Sequence, residues 1–451
     1  MQTSFTEDQL RDPEIAEANG ILKTCVHYGF CTNACPTYVL TRDENESPRG
    51  RIDLIRAMLE KGGAPDPRTV RHIDSCLSCL SCMSTCAVKV DYAHLVDRAR
   101  AHIERHHRRP AAERLMRAGL AHILTRPRLF HLSLALARAA KAVRRVLPAA
   151  LKALLDRAPA TTRPDILGAR IYPAHGARRR RVALLAGCAQ QALNGNINAA
   201  SIRLLQRQGA EVVVADGARC CGSLSLHMGR EGEAKKLARA NILAWIGERE
   251  RAGLDAIIVN ASGCGTTVKD YGHLFVRDAE MQGPARTIAA LARDVSEELA
   301  DSGLPVVEGK GAYRVAYHDP CSMQHGQKVT REPRALLRAA GFEVLDIPEK
   351  HFCCGSAGTY NLLQPETAAI LGERKVRHIH STDPDMIATG NIGCMVQISG
   401  YSSLPVLHTV ELLDWASGGP VPPALAFMTL RQPKTPAAKS DSPAGDTNSI
   451  W

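Results

Sequence analysis

Aromatic residues are scarce in this chain of 451 residues, at 4% of the total. No apolar run comes near the ~18 residues that a bilayer-spanning helix needs, which argues against a membrane-embedded chain. The opening, "MQTSFTEDQLRDPEI", has neither the basic stretch nor the apolar core of a secretory signal. The expected location is therefore cytoplasmic, with peripheral attachment to the inner face of the cytoplasmic membrane as the variant. No G-x-G-x-x-G follows an expected strand and no Walker loop occurs, so no flavin, nicotinamide or nucleotide site is legible. Hydride chemistry is expected in a partner that carries such a cofactor, and no catalytic residue is expected here. The net charge is +11, yet no recognition module accompanies it, so no nucleic-acid partner is expected.

Cysteine is plentiful by contrast, with fifteen residues. A disulfide framework is not expected in a reducing compartment, and metal ligation is the natural alternative. "CLSCLSCMSTC" places Cys76, Cys79, Cys82 and Cys86 at the C-x2-C-x2-C-x3-C spacing of bacterial ferredoxins, although Ala87 stands where that motif has proline. "CVHYGFCTNACPTY", residues 25 to 38, matches the same run at Cys25, Cys31, Cys35 and Pro36, but Tyr28 fills the second slot. In such runs three thiolates wrap one cubane and the fourth crosses to its neighbour. By that rule Cys35, Cys76, Cys79 and Cys82 form one set, and Cys25, Cys31 and Cys86 the other. Zinc or plain buried cysteines are the competing readings.

Between the runs, Ser47 and Pro48 open an expected helix carrying Ile52, Ile55, Met58 and Leu59, and "DPRTVRHID" is another. Two cluster loops separated by helices make a helical, ferredoxin-like N-terminal domain. Arg49 and Arg51 either offset cluster charge or are solvated surface arginines.

The remaining cysteines repeat. Cys188 precedes Cys220, Cys221 and Gly222 as Cys321 precedes Cys353, Cys354 and Gly355, a shift of 133 positions. Cys264 and Cys394 close the two sets, 130 positions apart. Apolar runs such as "RVALLAGC" and "YRVAYHDPC" alternate with helix-like segments, which predicts parallel β-α-β units with cysteines beyond the strand ends. The fold class is thus α+β and multidomain: a helical ferredoxin-like domain, then a duplicated α/β cysteine-rich unit built on C-C-G. Each quartet is expected to bind an iron–sulfur cluster or zinc; the alternative is small residues packing a tight turn. Expected boundaries are 1–104 for the ferredoxin-type domain, 105–181 for a basic helical connector, 182–310 and 311–431 for the repeats, and 432–451 for a disordered tail. In the connector, Leu115, Met116, Gly119, Leu120, Ile123 and Leu124 share a face, as do Leu129, Leu132, Leu136, Val143 and Leu147. Arg138, Lys141, Arg144, Arg145 and "ARRRR" at 177–181 add charge. Acidic lipid with its quinone, a partner subunit, or the connector's own domain are the candidate contacts.

These residues together resemble the iron–sulfur subunit of the bacterial glycolate oxidase (glycolate dehydrogenase) family. The likeness runs from "ILKTCVHYGFCTNACPTYVLTRDENESPRGRIDLI" through "NASGCGTTVKDYGHLF" to "HFCCGSAGTYNLLQPETA". The same motif order occurs in the anaerobic glycerol-3-phosphate dehydrogenase C subunit, lactate-utilisation proteins and the heterodisulfide reductase D-type subunit. The resemblance implies two FAD-type flavoprotein subunits that oxidise glycolate to glyoxylate. This chain would pass their electrons towards quinone or another acceptor. The alternatives are a heterodisulfide-reductase-like catalytic subunit, the iron–sulfur subunit of a glycerol-3-phosphate or lactate dehydrogenase, or a zinc-stabilised scaffold. Family members carry cysteine where Tyr28 stands. A phenol with a pKa near ~10 is a poor soft ligand and is bulkier than cysteine, so Tyr28 is expected to swing out. The expectation is [4Fe–4S] on Cys35, Cys76, Cys79 and Cys82, and [3Fe–4S] on Cys25, Cys31 and Cys86. An incompletely ligated [4Fe–4S], completed by water, hydroxide or Tyr28, is the alternative to the latter.

Overall fold

The computed structural model describes residues 1–141, 159, 161–303 and 313–426. Residues 1–106 form helices and loops with no strand. The helix Pro48–Lys61 starts where the Ser47 hydroxyl accepts the Gly50 N–H at 3.0 Å, and Pro48 pre-sets its first turn. It buries Ile52, Ile55, Met58 and Leu59. The helix Pro67–Asp74 is capped by Asp66, which accepts from Arg68 N–H at 2.9 Å. With the helices Pro13–Thr24 and Tyr92–His106 these pack Leu22, Ile55, Ile73, Leu95 and Ile103 into one core, each such side chain contributing roughly 1.5–3 kcal/mol on burial.

Two sheets follow. The first contains β1 (Arg170–Tyr172), β2 (Arg180–Leu185), β3 (Ala210–Val214), β4 (Ala256–Val259) and β5 (Ala292–Asp294), in the order β1-β3-β2-β4-β5. The second contains β6 (Arg314–His318), β7 (Glu343–Asp346), β8 (Met386–Thr389) and β9 (Val406–His408), in the order β7-β6-β8-β9. Register carries the duplication: Val182 pairs with Val212 and Ala256, and Val315 pairs with Val344 and Met386. All pairings are parallel except β1 on β3. Val182 and Leu184 face a core shared with the second sheet, whereas Ala183 and Leu185 face the opposite layer. Helices on both faces explain why these strands read as unbroken apolar runs.

Three features of the segment expected to be a helical connector differ from a simple basic linker. Arg170–Tyr172 is an antiparallel edge strand. Arg181 in the "ARRRR" run is buried and bound to Glu211 at 2.7 Å and Glu248 at 2.6 Å, so it serves the first repeat's own packing. In the helix Ala111–Leu124 it is Arg117 and Ala121 that are buried, while Leu115 is 75% exposed. Leu129, Leu132 and Leu136 are exposed along the helix Pro127–Ala140. Val143, Arg144, Arg145, Leu147 and the tail from 432 lie outside the described residues.

The helical part packs on the first repeat through close backbone contact and ion pairs. A Cβ at Gly229 would sit 2.3 Å from Arg100 O. His94 bridges Asp91 at 2.5 Å and Asp270 at 3.0 Å and stacks on His273. Burial alone would lower its pKa, but the hydrogen bonds and charges of Asp270 and Asp91 outweigh that and raise it to about 10. A folded pKa above the free value of ~6.5 stabilises most below that value, and the contribution is lost as pH rises through the folded pKa. The melting-temperature gap between wild type and His94→Gln should therefore be widest near pH ~6 and close near pH ~10. A gap of equal size at both, in thermal melts of anaerobic protein, would refute this bridge.

Candidate metal centres

The two cysteine loops share one backbone path. In the second loop Ser78 and Leu80 adopt positive φ on either side of Cys79. In the first loop His27 and Gly29 do the same on either side of Tyr28. Each loop then enters a short helix, Ser81–Ser84 or Phe30–Asn33. The turn that aims successive thiols is thus kept in the first loop although one thiol is absent. Tyr28 is 71% exposed and stacks on Phe30 with centroids 6.0 Å apart, turned out towards solvent.

Cys35, Cys76, Cys79 and Cys82 line one cavity, together with Arg51 and Tyr92. Cys25, Cys31 and Cys86 all border the helical core, Cys25 buried and Cys31 and Cys86 half-buried. Arg51 is 1% exposed; its guanidinium reaches Glu46 at 2.6 Å, Thr37 and Ser75 at 3.0 Å and Cys35 Sγ at 3.8 Å. Arg49 instead pairs with Glu44 at 2.5 Å, near the surface. Burial would raise the Cys76 thiol, but Arg51, Arg100, the Ser78 N–H and the Tyr92 hydroxyl together hold it below its ordinary value. Cys79 and Cys82 are pushed well above theirs by burial and by neighbouring thiolates, and burial pushes Cys31 up to about 11. Buried thiols that cannot ionise side by side, with no carboxylate lining their cavity, fit a cationic iron centre that would neutralise them.

The C-C-G cysteines come together as well. Cys188 and Cys321 lie just beyond the ends of β2 and β6, and Cys264 and Cys394 in the first turns of the helices Ser262–Lys269 and Ile392–Ser399. Cys220 Sγ lies 3.4 Å from Cys188 Sγ, and Cys321 Sγ lies 3.8 Å from Cys353 Sγ. Side-chain contacts continue from Cys220 to Cys221 and Cys264, and from Cys353 to Cys354 and Cys394. Cys264 and Cys394, the members most distant in sequence, therefore join their quartets. All fifteen cysteines are free of disulfides.

A family described as "4Fe-4S dicluster domain" matches residues 21–90, and one described as "Cysteine-rich domain" matches 182–269 and 315–399. The chain is similar to the glycolate oxidase iron-sulfur subunit of Escherichia coli (strain K12), 39% identical over 92% of this chain and 99% of that protein. The chain belongs to the glycolate oxidase iron–sulfur subunit family. The probable glycolate oxidase iron-sulfur subunit of Bacillus subtilis (strain 168) is 31% identical over 88% of this chain and 95% of its own length. A subunit of the fumarate reductase (CoM/CoB) of Methanothermobacter marburgensis is 32% identical over 52% of this chain and 46% of its own length.

In this family member the helical part and the second repeat meet at their cysteines. Leu77 and Cys79 pack with Cys353, Tyr360 and Leu371 in one small core that Cys321 borders. After burial, Cys321 is the next influence on the Cys79 thiol. Sequence reading missed this contact, and also Glu46, His72, Tyr92 and Arg100, which support the first cavity. Tyr92 hydroxyl donates to Cys76 Sγ at 3.6 Å, and Arg100 donates to Cys76 O at 2.6 Å. Helix periodicity marks where Tyr92 and Arg100 sit but cannot show what they touch.

The glycine of C-C-G has a plain steric cause. Gly222 and Gly355 have φ of +91° and +90°, and a Cβ would lie 2.9 Å from Ala234 O and 2.6 Å from Ala368 O. Gly355→Ala combines strain at positive φ with a backbone clash, so it should cost more than about 1 kcal/mol of stability in denaturant titrations. A neutral result would show that this turn relaxes freely.

Proposed function

We propose that this chain is the electron-transfer subunit of a flavin-dependent glycolate-oxidising complex, taking electrons from two FAD-type partners and passing them towards quinone or another acceptor. The observation that carries the reading is the 39% identity with a glycolate oxidase iron-sulfur subunit over 99% of its length. Iron–sulfur clusters, when bound, supply one-electron steps that suit a two-electron flavin donor. Cys35, Cys76, Cys79 and Cys82 would hold a [4Fe–4S] cluster, and Cys25, Cys31 and Cys86 a [3Fe–4S] cluster. Solvent-facing Tyr28 supports the three-thiolate set. Cys188, Cys220, Cys221 and Cys264, and Cys321, Cys353, Cys354 and Cys394, would hold a further cluster or zinc in each repeat. The partition into 1–104, 105–181, 182–310, 311–431 and 432–451 belongs to the same proposal. The competing disulfide-cleaving reading is less well served, because Cys220, Cys221, Cys353 and Cys354 are each at most 3% exposed. Among the described residues no helix is long and apolar enough to cross a membrane. The exposed Leu129, Leu132 and Leu136 strip supports a peripheral contact.

The purified chain without flavoproteins should not reduce a dye with glycolate. Reconstituted with them, activity should fall to background when Cys76, Cys79 or Cys82 is replaced by serine. Unchanged acceptor reduction would take this site off the electron path.

Tyr28→Cys should raise iron by about one per chain, the iron an added thiolate can hold, and abolish the EPR signal of oxidised [3Fe–4S]. An as-isolated, fully iron-loaded wild-type sample without that signal would refute the three-iron assignment.

A further inference from the structure

The repeats match in their cysteines and differ beside them. Leu185 ends β2 and lies in an apolar layer with Cys188 and Cys221. His318, 133 positions on, ends β6 and is 1% exposed. Neither of its ring nitrogens has a hydrogen-bond partner. A leucine fills the same place in the first repeat, so the fold itself does not call for an imidazole. Buried polar atoms in native proteins are rarely left unpaired without a further role.

The ring has neighbours of another kind. A ring nitrogen of His318 and the Sγ atoms of Cys354 and Cys394 lie within 4.8 Å of one another. These three side chains come together closely enough to hold one metal ion. Asn391 Nδ2 donates to Cys394 Sγ at 3.4 Å, the kind of outer contact that orients a ligand.

We propose that His318 is a metal ligand of the second repeat, forming a mixed cysteine–histidine site with Cys354 and Cys394, while the first repeat is held by thiolates alone. The proposal rests on the reading that the C-C-G cysteines bind metal. A neutral imidazole standing where a thiolate would otherwise bind makes the second site less negative, and an iron centre there should have the higher potential of the two.

The test uses the full chain, purified anaerobically after growth with natural or 15N-labelled histidine. Iron and zinc are counted, pulsed EPR is recorded on reduced samples, and X-ray absorption is measured at both metal edges. The expected result is metal beyond the ferredoxin complement. It should come with either a strongly coupled nitrogen that shifts on 15N labelling or, for zinc, a nitrogen shell at about 2.0–2.1 Å. His318→Leu should lose that nitrogen and most of that site's metal, whereas His318→Cys should keep the metal and lose the nitrogen. Extra metal without histidine nitrogen in the wild type would overturn the ligand assignment alone, and that measurement holds even if a variant does not fold. Persistence of the nitrogen in His318→Cys would overturn it equally. Metal limited to the ferredoxin complement would overturn the metal reading of the repeats and the proposal with it.

Discussion

Arg51 sits in the middle of the helical part with its guanidinium almost fully withdrawn from water. One side chain there joins three pieces of chain through five residues: Cys35 and Thr37 from the first loop, Glu46 from the turn before its own helix, and His72 O and Ser75 just ahead of the second loop. Glu46 in turn accepts from Ser75 at 2.5 Å and contacts His72 Nδ1 at 2.6 Å. A buried cation is costly unless its charge is met, and here the Glu46 carboxylate meets it, with Cys35 Sγ also within reach. The packing that delivers Arg51 is equally tight: a Cβ at Gly50 would fall 1.9 Å from Glu44 O. The two cysteine loops are therefore held in mutual register by charge from within, before any metal is considered.

The repeats solve the same problem with topology. A parallel sheet sends successive strand ends to one edge, so three loops per repeat deliver cysteines to one place. The copies have nonetheless diverged around those cysteines. Asn241 and Lys375 each lie seven positions after the alanine that contacts the C-C-G glycine. Asn241 donates to Cys220 O at 3.1 Å and binds the Tyr271 hydroxyl, a neutral support. Lys375 is 3% exposed and donates to Glu349 O at 2.9 Å, placing a potential cation beside Cys353 and Cys354. Duplication fixed the cage, and substitution set a different electrostatic environment in each copy.

Much of this was legible because local rules dominate it. The capped helices Pro48–Lys61 and Pro67–Asp74, the strand cores and the repeat offset all follow from short-range spacing. The thiol quartets were legible too, since the 133-residue shift is a pattern of positions and not of contacts. What escaped reading depends on which segments meet. The edge strand Arg170–Tyr172 is three residues long and gains its partner only from β3. Arg181 reads as part of a charge run, yet it is a buried ion-pair member because β2 carries it between Glu211 and Glu248. In the helix Ala111–Leu124 the packing buries Arg117, which reaches Met228 O, and Ala121, while Leu120, Ile123 and Leu124 are half-buried and Leu115 is exposed.

Tyr28 and Cys79 occupy the same step of two loops with the same turn geometry, and they face opposite ways. Cys79 points into the small core that joins the helical part to Cys353 of the second repeat. Tyr28 points out, beside exposed Val26 and Phe30. The loop that keeps all its thiols is the one enclosed between domains. The loop that has lost one is the one at the surface, where a bulky phenol meets no steric resistance. An inward position could not have tolerated that exchange, because a tyrosine at residue 79 would have to displace Leu77, Tyr360 or Leu371 from close packing. The departure from the four-cysteine run thus falls at the corner where the fold leaves room for it.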